Sequence, residues 1–416
     1  MLLNEYRELT RDHYRILAIA WAGWVFDFYD LILFSFLLIP IGAEFGLSKI
    51  DLSLALGASL LFTAIGGVAF GYLADRFGRR RALQWTILVY SFGTFFTAFA
   101  ATLPALILFR AVTGLGVGGE WATGQAYIGE TFPAKVRAQF GSLMQTGAPV
   151  GVILASVVGG LLAPALGWRA CFALSVLPAL LVVAVRFWLP ESDVWEHERT
   201  RGTVRPGVRD LITGRYRDLF FKALLLAIFG MSAYWFTFSW LPTYLSSERH
   251  FPLAASALWI IACQCAAFFG YLTFGLVADR FGRRPAFTLY SLAAALGLVM
   301  ITAFWSALAD EPAFLLFFLL LTGFGIGFFG GFGPLFAELF PTGIRSLAMG
   351  SAFNIARGIQ FFTPVIIAVV AGLADFASGI LIAAVFSLCV AAWVWTFPET
   401  RGTAIDISGT GDGDRG

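Results

Sequence analysis

Long apolar runs separated by short polar segments make up the pattern of this chain. Each run is about 20 residues long or longer, and at about 1.5 Å per residue a helix of that length crosses the roughly 30 Å hydrocarbon core of a bilayer. The sequence predicts twelve such spans, over residues 16–39, 52–74, 82–101, 105–128, 139–163, 170–189, 220–244, 255–278, 286–308, 312–337, 347–372 and 376–397. Because a backbone inside lipid must satisfy its own hydrogen bonds, the pattern predicts an all-α integral membrane protein.

The basic residues between the spans predict the orientation. Most of them fall in alternate segments, among them Arg76, Arg79, Arg80, Arg81, Lys135, Arg137, Arg280, Arg283, Arg284 and Arg345. The intervening loops hold only Lys49, Arg169 and Arg249. Basic loops stay on the cytoplasmic side of a membrane, so we predict that both termini are cytoplasmic. The first span lacks a small-residue cleavage site, which indicates a retained helix rather than a signal peptide.

Three polar phrases occur twice, about two hundred residues apart. Gly71-Tyr-Leu-Ala-Asp-Arg-Phe-Gly-Arg-Arg returns as Gly275-Leu-Val-Ala-Asp-Arg-Phe-Gly-Arg-Arg. Likewise, Glu-x6-Arg follows both span 4 and span 10, and Pro-Glu-Ser or Pro-Glu-Thr follows spans 6 and 12. The repeats indicate a duplicated six-span unit, and transporters commonly hold their substrate between two such halves.

The repeats and the polar stretches divide the chain into four parts. We predict an N-terminal half over residues 1–189 and a C-terminal half over residues 220–397. The arginine-rich segment 190–219 between them reads as a cytoplasmic linker. The segment 398–416 is rich in Gly, Asp and Ser, which is typical of a disordered tail.

Composition supports a membrane protein and leaves little material for an enzyme. The chain is 59% hydrophobic and 13% charged, with a mean hydropathy of +0.80, which is too apolar for a soluble protein of 416 residues. Its net charge of +2 and the lack of a basic patch give no reason to expect a nucleic-acid partner. Four cysteines form no C-x-x-C and all three histidines lie outside the apolar runs. We therefore expect no metal, no cofactor and no enzymatic activity.

The repeated phrases resemble those of the major facilitator superfamily over nearly the whole chain. G-x-x-x-D-R-x-G-R-R is similar to its loop signature, and the Glu-x6-Arg and Pro-Glu phrases are similar to the cytoplasmic lock of its sugar-porter-like branches. The resemblance implies twelve transmembrane helices in two pseudo-symmetric halves, with charged pairs that tie the halves together. The implied gate residues are Gly71, Asp75, Arg79, Glu130, Arg137, Asp279, Arg283, Glu338 and Arg345. We expect surface pairs here, each worth about 0–1 kcal/mol, because a gate must open in every cycle.

Five charged residues fall inside the predicted spans and away from their ends: Asp27, Asp30, Arg110, Glu120 and Arg357. A charge at a helix centre costs about 2.5–3.5 kcal/mol on insertion scales, so each should be paired or face water. Asp30 and Arg110 lie at similar depths, about 9–14 Å below the outer surface, which makes an ion pair reasonable. Tyr29-Asp30 and the phrase beginning at Arg110 also resemble the proton-coupling pair of proton-driven sugar porters. The resemblance implies proton coupling by Asp30 and Arg110, with Asp27 and Glu120 as deeper candidates. A purely structural salt bridge is the alternative.

Arg357 indicates an anionic substrate. It lies ten residues into span 11, and the spans of its own half offer it no acidic partner. A buried cation needs an anion, and a guanidinium binds a carboxylate through two parallel hydrogen bonds. We therefore predict that Arg357 binds the substrate. The other predicted substrate-binding residues are Asn354, Gln360, Gln145, Tyr234 and Trp235.

Other phrases resemble the sialate/lactate and metabolite proton-symporter branches, which carry organic acids. They include Trp24-Val-Phe-Asp-Phe-Tyr-Asp in span 1, Gly119-Glu-Trp in span 4 and Asn354-x-x-Arg-Gly in span 11. Span 7 lacks the paired glutamines of sugar porters, and span 11 lacks the histidine of the lactate-permease signature.

The sequence thus predicts a proton-coupled symporter of a small organic anion, working by alternating access in the cell inner membrane. The anion could be a monocarboxylate, a sialate-like acid or an aromatic acid. A sugar or polyol symporter is the alternative within the same class, and a non-transporting membrane receptor is the alternative outside it. The expected partners are the anion, the proton and the lipid bilayer, with no nucleic acid, and we expect a monomer. The choice of proton carrier among the buried carboxylates stays open at this point.

Overall fold

A computed structural model shows a bundle of helices and describes residues 9–175, 189–200, 207–238, 245, 249, 253–308, 311–363, 366, 370, 373 and 376–403, none of which forms a strand. The N-terminal part contains α1 (Arg11–Phe45), α2 (Lys49–Phe77), α3 (Arg79–Thr97), α4 (Leu103–Thr131), α5 (Arg137–Gln145), α6 (Gly147–Val157), α7 (Ala163–Leu166) and α8 (Trp168–Leu174). The predicted linker carries α9 (Asp193–Thr200) and α10 (Val208–Ile212). The C-terminal part contains α11 (Arg217–Phe238), α12 (Leu253–Phe281), α13 (Arg283–Thr302), α14 (Trp305–Leu308), α15 (Pro312–Gly325), α16 (Phe332–Leu339), α17 (Arg345–Ile359) and α18 (Phe376–Trp393).

Nine helical stretches among the described residues are long and apolar enough to cross a membrane. They correspond to the predicted spans 1, 2, 4, 5, 7, 8, 9, 10 and 12. Span 3 is formed by α3, which begins with three arginines and is therefore less apolar. The inner part of span 11 is formed by α17. Most of span 6 and the outer end of span 7 lie outside the described residues.

The helices run a few residues beyond the apolar runs because capping groups, and not hydropathy, end them. Span 1 was predicted over 16–39, whereas α1 covers Arg11–Phe45 and stops at Gly46, whose φ of 63° is left-handed. At the start of α2 the Ser48 side chain accepts a hydrogen bond from the backbone N–H of Asp51, and the Asp51 carboxylate accepts one from the backbone N–H of Ser48 at 2.9 Å.

Glycines allow the two halves to meet along two seams. In the first seam α2 packs against α17, where a Cβ on Gly67 would lie 2.6 Å from Asn354 Nδ2 and one on Gly71 would lie 2.6 Å from the Ser346 carbonyl oxygen. In the second seam α12 packs against α5, where a Cβ on Gly275 would lie 2.6 Å from the Ala138 carbonyl oxygen. Small residues at these points let the backbones approach closely, as they do between transmembrane helices generally.

The predicted linker and tail are tied to the ends of the helices. Trp195 of α9 is buried and donates a hydrogen bond to the Asp75 carbonyl oxygen at 2.8 Å. Glu399 accepts a hydrogen bond from the backbone N–H of Arg283 at 2.8 Å. Residues 398–403, which the composition assigned to a disordered tail, are therefore ordered by contacts that composition does not reveal. Residues 201–206 of the linker and 404–416 of the tail lie outside the described residues.

Candidate functional site

A cavity of about 190 Å³ lies between the two halves. Phe28, Leu31 and Ile32 of α1 line one side, and Met231, Tyr234, Trp235 and Phe238 of α11 line the opposite side. The remaining lining residues are Gln145, Val152, Gln264, Tyr271, Phe329, Phe353 and Arg357. The walls are mostly apolar and aromatic, with one cation and two amides among them. Such a lining suits a small molecule with an apolar body and an acidic group.

Arg357 presents its guanidinium to this cavity from an aromatic box. The guanidinium carbon lies 5.3 Å from the ring centre of Trp24, 5.7 Å from that of Phe28 and 5.3 Å from that of Phe353. These distances are within the range of cation–π attraction. Nη1 of Arg357 is buried and has no hydrogen-bond partner among the described residues. The charge of Asp27, in the other half, favours the charged form of Arg357. The two side chains form no ion pair within the residues that the structure describes. The cation is therefore free to bind an added anion.

Three other predicted substrate residues also line the cavity, and two do not. Gln145, Tyr234 and Trp235 are in the lining. Asn354 donates instead to the carbonyl oxygen of Gly118 across the seam at 2.7 Å. Gln360 donates to Ser232 Oγ at 3.2 Å and to a backbone carbonyl of its own helix. Protein groups thus accept the hydrogen bonds of both amide NH2 groups outside the cavity, while Asn354 Oδ1 is buried and has no partner among the described residues.

Aromatic side chains from both halves pack together beside the cavity. Trp121 of α4 stacks on Phe353 of α17, with ring centres 3.6 Å apart and planes at 11°. Trp121 Nε1 also donates a hydrogen bond to Gln145 Oε1 at 3.0 Å. The sequence does not predict that Phe353, Phe28 and Phe329 line a site, because the chain has 44 phenylalanines and no pattern marks these three.

Asp30 and Arg110 form a buried pair, as their similar depths suggest. Arg110 Nη1 lies 3.2 Å from Asp30 Oδ2, and the guanidinium also donates to Thr97 and Thr113. Phe34 and Phe172 each place a ring centre 5.1 Å from the guanidinium carbon of Arg110. Neither partner lines the cavity. The pair lies inside the N-terminal half, separate from Arg357, and Asp30 Oδ1 has no hydrogen-bond partner among the described residues.

Asp27 and Glu120 are buried without enough partners. Both side chains are 0% exposed. Neither carboxylate oxygen of Asp27, and only one oxygen of Glu120, has a hydrogen-bond partner among the described residues. The Glu120 carboxylate fits against α1 because residue 23 is glycine, and a Cβ there would overlap it. Unsatisfied buried oxygens are costly, so these two carboxylates require protons, water or another ligand.

The predicted gate residues form two clusters at the predicted cytoplasmic ends of the helices. In ionic cluster 1, Glu130 of α4 lies 2.7 Å from Arg79 Nη2 of its own half and 2.6 Å from Arg345 Nη1 of the other half. Asp75 accepts hydrogen bonds from the backbone N–H groups of Ser346 and Leu347 at 3.1 and 2.8 Å. Asp75 thereby caps the start of α17 across the seam, where the helix dipole favours a negative charge.

Ionic cluster 2 repeats this arrangement with the halves exchanged. Glu338 lies 2.7 Å from Arg283 Nη2 of its own half and 3.3 Å from Arg137 Nη1 of the other half. Asp279 accepts from the backbone N–H groups of Ala138 and Gln139 at the start of α5. The cross-half pair is longer than in ionic cluster 1, and Arg137 Nε has no hydrogen-bond partner in the described part of the chain. Ionic cluster 1 is therefore the tighter tie.

The expectation that these are surface pairs is wrong. The side chains of Arg79, Glu130, Arg345 and Glu338 are each at most 1% exposed, because closure of the two halves removes the clusters from water. Burial costs each ion several kcal/mol of desolvation, and breaking a buried pair by removing one partner costs about 3–5 kcal/mol. Outside the spans, burial raises the pKa of Glu191, while the backbone N–H groups of Arg80, Ser192 and Arg79 oppose that rise.

Comparison with known proteins gives the family. The model of the family described as "Major Facilitator Superfamily" matches residues 19–273. The model of the family described as "Sugar (and other) transporter" matches residues 196–407. The chain is 30% identical to the "Probable 4-methylmuconolactone transporter" of Cupriavidus pinatubonensis, over 94% of this chain and 92% of that protein. It is also 30% identical to the "Cis,cis-muconate transport protein" of Acinetobacter baylyi, over 86% of this chain and 88% of that protein.

The fold matches a solved transporter of the same superfamily. The structure of the proton:xylose symporter XylE bound to 6-bromo-6-deoxy-D-glucose superposes with a TM-score of 0.81 at 21% sequence identity, covering 95% of this chain and 98% of that one. The predicted fold class, twelve transmembrane helices in two six-helix halves, is confirmed. The family resemblance drawn from the repeated phrases is confirmed as well. This chain belongs to the Major Facilitator Superfamily, and it is a multi-pass membrane transporter.

Proposed function

We propose that this protein is a secondary active transporter that moves a small organic acid together with protons by alternating access. The observation that carries the proposal is Arg357, a guanidinium without an ion pair among the described residues, in a cavity between the two halves. A buried cation of this kind binds a carboxylate strongly, because both hydrogen bonds form away from water.

The cavity favours a small, flat and largely apolar acid. Its volume of about 190 Å³ is below the roughly 300–1,000 Å³ typical of sites for drug-sized ligands. Phe28, Phe329 and Phe353 offer aromatic surface to an aromatic or conjugated body, while Gln145 and Gln264 offer amide groups to its polar end. A sialate-like acid carries many hydroxyl groups, each of which would need a polar partner that these walls lack. The two relatives named for muconate compounds are consistent with this preference.

A neutral sugar is the second candidate, because the solved xylose symporter shares the fold and a sugar-transporter description matches the C-terminal half. A sugar would leave the Arg357 charge unpaired in a dry cavity, which is costly. Fold similarity alone does not decide between the two substrates. The charge on Arg357 makes the acid the better proposal.

Proton coupling is proposed for the acidic residues of α1 and α4. The Arg110 guanidinium 3.2 Å away favours the ionised form of Asp30, and separation of the pair would leave desolvation to favour the protonated form. An anion that binds Arg357 would neutralise the cation that acts on Asp27. Protonation of the acidic residues would then become easier when substrate is present. Substrate and proton would thereby be carried together.

The two ionic clusters are proposed as the cytoplasmic gate of a transporter whose inner side is closed. Ionic clusters 1 and 2 join the halves at the side where basic loops concentrate, which supports a state that is shut towards the cytoplasm. Opening requires both cross-half pairs to separate while the halves rock about the cavity. We propose an inner-membrane location with both termini cytoplasmic, and a functional monomer.

The substrate class can be tested by binding to the purified protein in detergent. The sharpest comparison is benzoate with benzamide, which share a ring but differ in charge. Sialic acid, a short aliphatic monocarboxylate and xylose complete the panel. We expect saturable binding of benzoate or another small unsaturated acid and at least tenfold weaker binding of the matched amide. Binding of xylose without binding of any acid would favour the sugar symporter instead.

A further inference from the structure

One face of α3 runs past carboxylates that are buried inside the N-terminal half of the bundle. Thr86, Tyr90 and Thr94 lie four residues apart, so they form a stripe along the helix. Thr86 Oγ1 lies 3.4 Å from Glu120 Oε2 at one end, and Thr94 at the other end lies beside Asp30, with its Oγ1 3.4 Å from Thr113 Oγ1. Tyr90 is the middle member of this stripe and therefore lies between the two carboxylates.

The hydroxyl of Tyr90 is buried among charges and has no hydrogen-bond partner in the described residues. Tyr90 is 1% exposed, and its hydroxyl oxygen is unsatisfied. The charged groups that act on it are Glu120, Asp27 and Asp30. Asp27 and Asp30 belong to α1, and α4, which packs on α3, carries Glu120 and also Arg110. The charges of α2 and of the described part of α8 lie only near their ends.

The packing keeps this hydroxyl in place. A Cβ on Gly116 of α4 would lie 2.7 Å from the Cβ of Tyr90, so the two helices are in close contact at this level. Gly23 of α1 makes room for the Glu120 carboxylate on the other side. Glycines on two helices therefore allow close packing of Tyr90 and the carboxylates. An engineered Cβ at either position would separate them.

We propose that Tyr90 transfers protons between Asp30 and the deeper carboxylates Asp27 and Glu120. A hydroxyl donates one hydrogen bond and accepts others, so it can join two acidic groups. The tyrosine oxygen accepts the proton of a neutral carboxyl group while its own hydrogen passes to an ionised carboxylate. One O–H bond breaks at each donor and one forms at each acceptor, tyrosine ends neutral and no electron moves.

The unsatisfied atoms leave room for this chemistry. Oxygens of Asp27, Asp30, Tyr90 and Glu120 all lack partners in the part of the chain that the structure describes. A buried water needs two to four polar partners, which this group supplies. One water, or a small rotation of the carboxylates, would complete the hydrogen bonds to the hydroxyl. The inference rests on the proposed function, since it assigns the path of the coupled proton.

The test is Tyr90→Phe, which keeps the ring and removes the hydroxyl, with Tyr290→Phe as its matched control. Tyr290 lies on α13, the counterpart of α3, is equally buried, and donates to Thr273 Oγ1 at 2.7 Å with no carboxylate nearby among the described residues. Both variants are reconstituted, and uptake of radiolabelled benzoate, or of the panel acid that binds best, is measured with and without a pH gradient. Exchange of internal for external acid is measured at several equal pH values.

We expect the exchange rate of Tyr90→Phe to be within about twofold of the wild-type rate. Its pH-driven accumulation should be at least tenfold lower than that of wild type, and the pH profile of its exchange should change. We expect Tyr290→Phe to keep all three. Equal accumulation in Tyr90→Phe and wild type would overturn the inference, as would equal loss of accumulation and exchange with an unchanged pH profile, which indicates a structural role. If wild type itself neither accumulates nor exchanges any acid of the panel, the proposed function fails instead.

Discussion

Arg357 is the residue on which recognition of the anion depends in this account. Its guanidinium is held by the rings of Trp24, Phe28 and Phe353, so its position is fixed before substrate arrives. A cation already in place loses little entropy when the carboxylate binds. Removing or reshaping this one group should therefore change affinity directly.

The first prediction concerns Arg357→Lys, which keeps the charge but loses the two parallel hydrogen bonds. Acid binding should weaken by roughly tenfold or more, which corresponds to about 1.4 kcal/mol. Binding of the panel acids to the purified variant is the measurement. Arg169→Lys is a matched control, because Arg169 also lies over an aromatic ring, 4.2 Å from Trp168, but outside the cavity. Unchanged affinity in Arg357→Ala would show that the carboxylate binds elsewhere.

The second prediction concerns the pair inside the N-terminal half. Asp30→Asn removes the group that gains and loses the proton, so pH-driven accumulation should be lost while exchange of internal for external acid continues. Arg110→Gln should impair both, because it leaves Asp30 buried without its cation. Uptake into proteoliposomes separates the two effects, and Asp12→Asn is a control at an exposed pair with Arg15. Uphill accumulation by Asp30→Asn would place the carrier elsewhere, with Glu120 the next candidate.

At the scale of helices, the seams between the halves determine which side is open. Ionic cluster 1 places Arg345 on Glu130 and Asp75 on the start of α17, and ionic cluster 2 repeats this with the halves exchanged. Each tie combines a buried ion pair with a helix cap, so closure is a discrete state rather than a gradual approach.

The third prediction is that Glu130→Gln opens the predicted cytoplasmic side more than Glu338→Gln does. The cross-half pair of Glu130 is 2.6 Å long and that of Glu338 is 3.3 Å long, so more stabilisation of the closed state is lost with Glu130. Cysteine labelling can measure this at Ser346→Cys, a fully buried site beside ionic cluster 1, with Cys265 and Cys389 replaced by serine. We expect an impermeant maleimide to label residue 346 at least tenfold faster in Glu130→Gln than in the protein without this substitution. Glu311→Gln, an exposed acid at the start of α15, should not change the rate. Equal rates in all variants would contradict a gating role.

The fourth prediction is that Gly71→Ala prevents full closure. The added Cβ would lie 2.6 Å from the Ser346 carbonyl oxygen and 2.8 Å from the Leu347 Cα, both of which are backbone atoms that cannot move aside. The same labelling assay should show faster reaction at residue 346. Gly207→Ala is the matched control, since a Cβ there meets no atom within 4 Å. Wild-type labelling rates in Gly71→Ala would mean that the seam tolerates the methyl group.

The sequence predicts the charged parts of these elements well and the cavity poorly, for a physical reason. Asp30 and Arg110 are costly inside a membrane, so their positions alone pointed to a pair. The neutral amides of Asn354 and Gln360 carried no such signal, and their NH2 groups donate to backbone carbonyls and to Ser232 outside the cavity. Apolar lining residues such as Phe353 look like any lipid-facing or packed phenylalanine until the two halves are assembled. Burial of the ionic clusters was likewise invisible, because it arises only when the halves close.

At the scale of the whole molecule, the duplicated halves explain both the shared fold and the separate tasks. The repeated phrases build equivalent clusters in both halves, but the buried carboxylates Asp27, Asp30 and Glu120 occur only in the first half, and Arg357 lies in the second. The proposed proton site and the proposed anion site are therefore in different halves of the molecule. Rocking of one half against the other moves these sites relative to each other, which is how one movement can serve two cargoes.

The central claim is that movement of an organic acid is coupled to movement of protons through this cavity. Its most direct test is uptake of radiolabelled benzoate, or of the panel acid that binds best, into proteoliposomes containing wild type or Arg357→Ala. The outside is made acidic and the membrane potential is clamped. Initial rates are compared with those of protein-free vesicles to correct for passive entry of the neutral acid, and an uncoupler removes the pH gradient in a further arm. We predict that wild type accumulates the acid above its external concentration in excess of protein-free vesicles, that the uncoupler abolishes this excess, and that Arg357→Ala shows none. Equal accumulation in protein-free vesicles and in wild type would contradict the account.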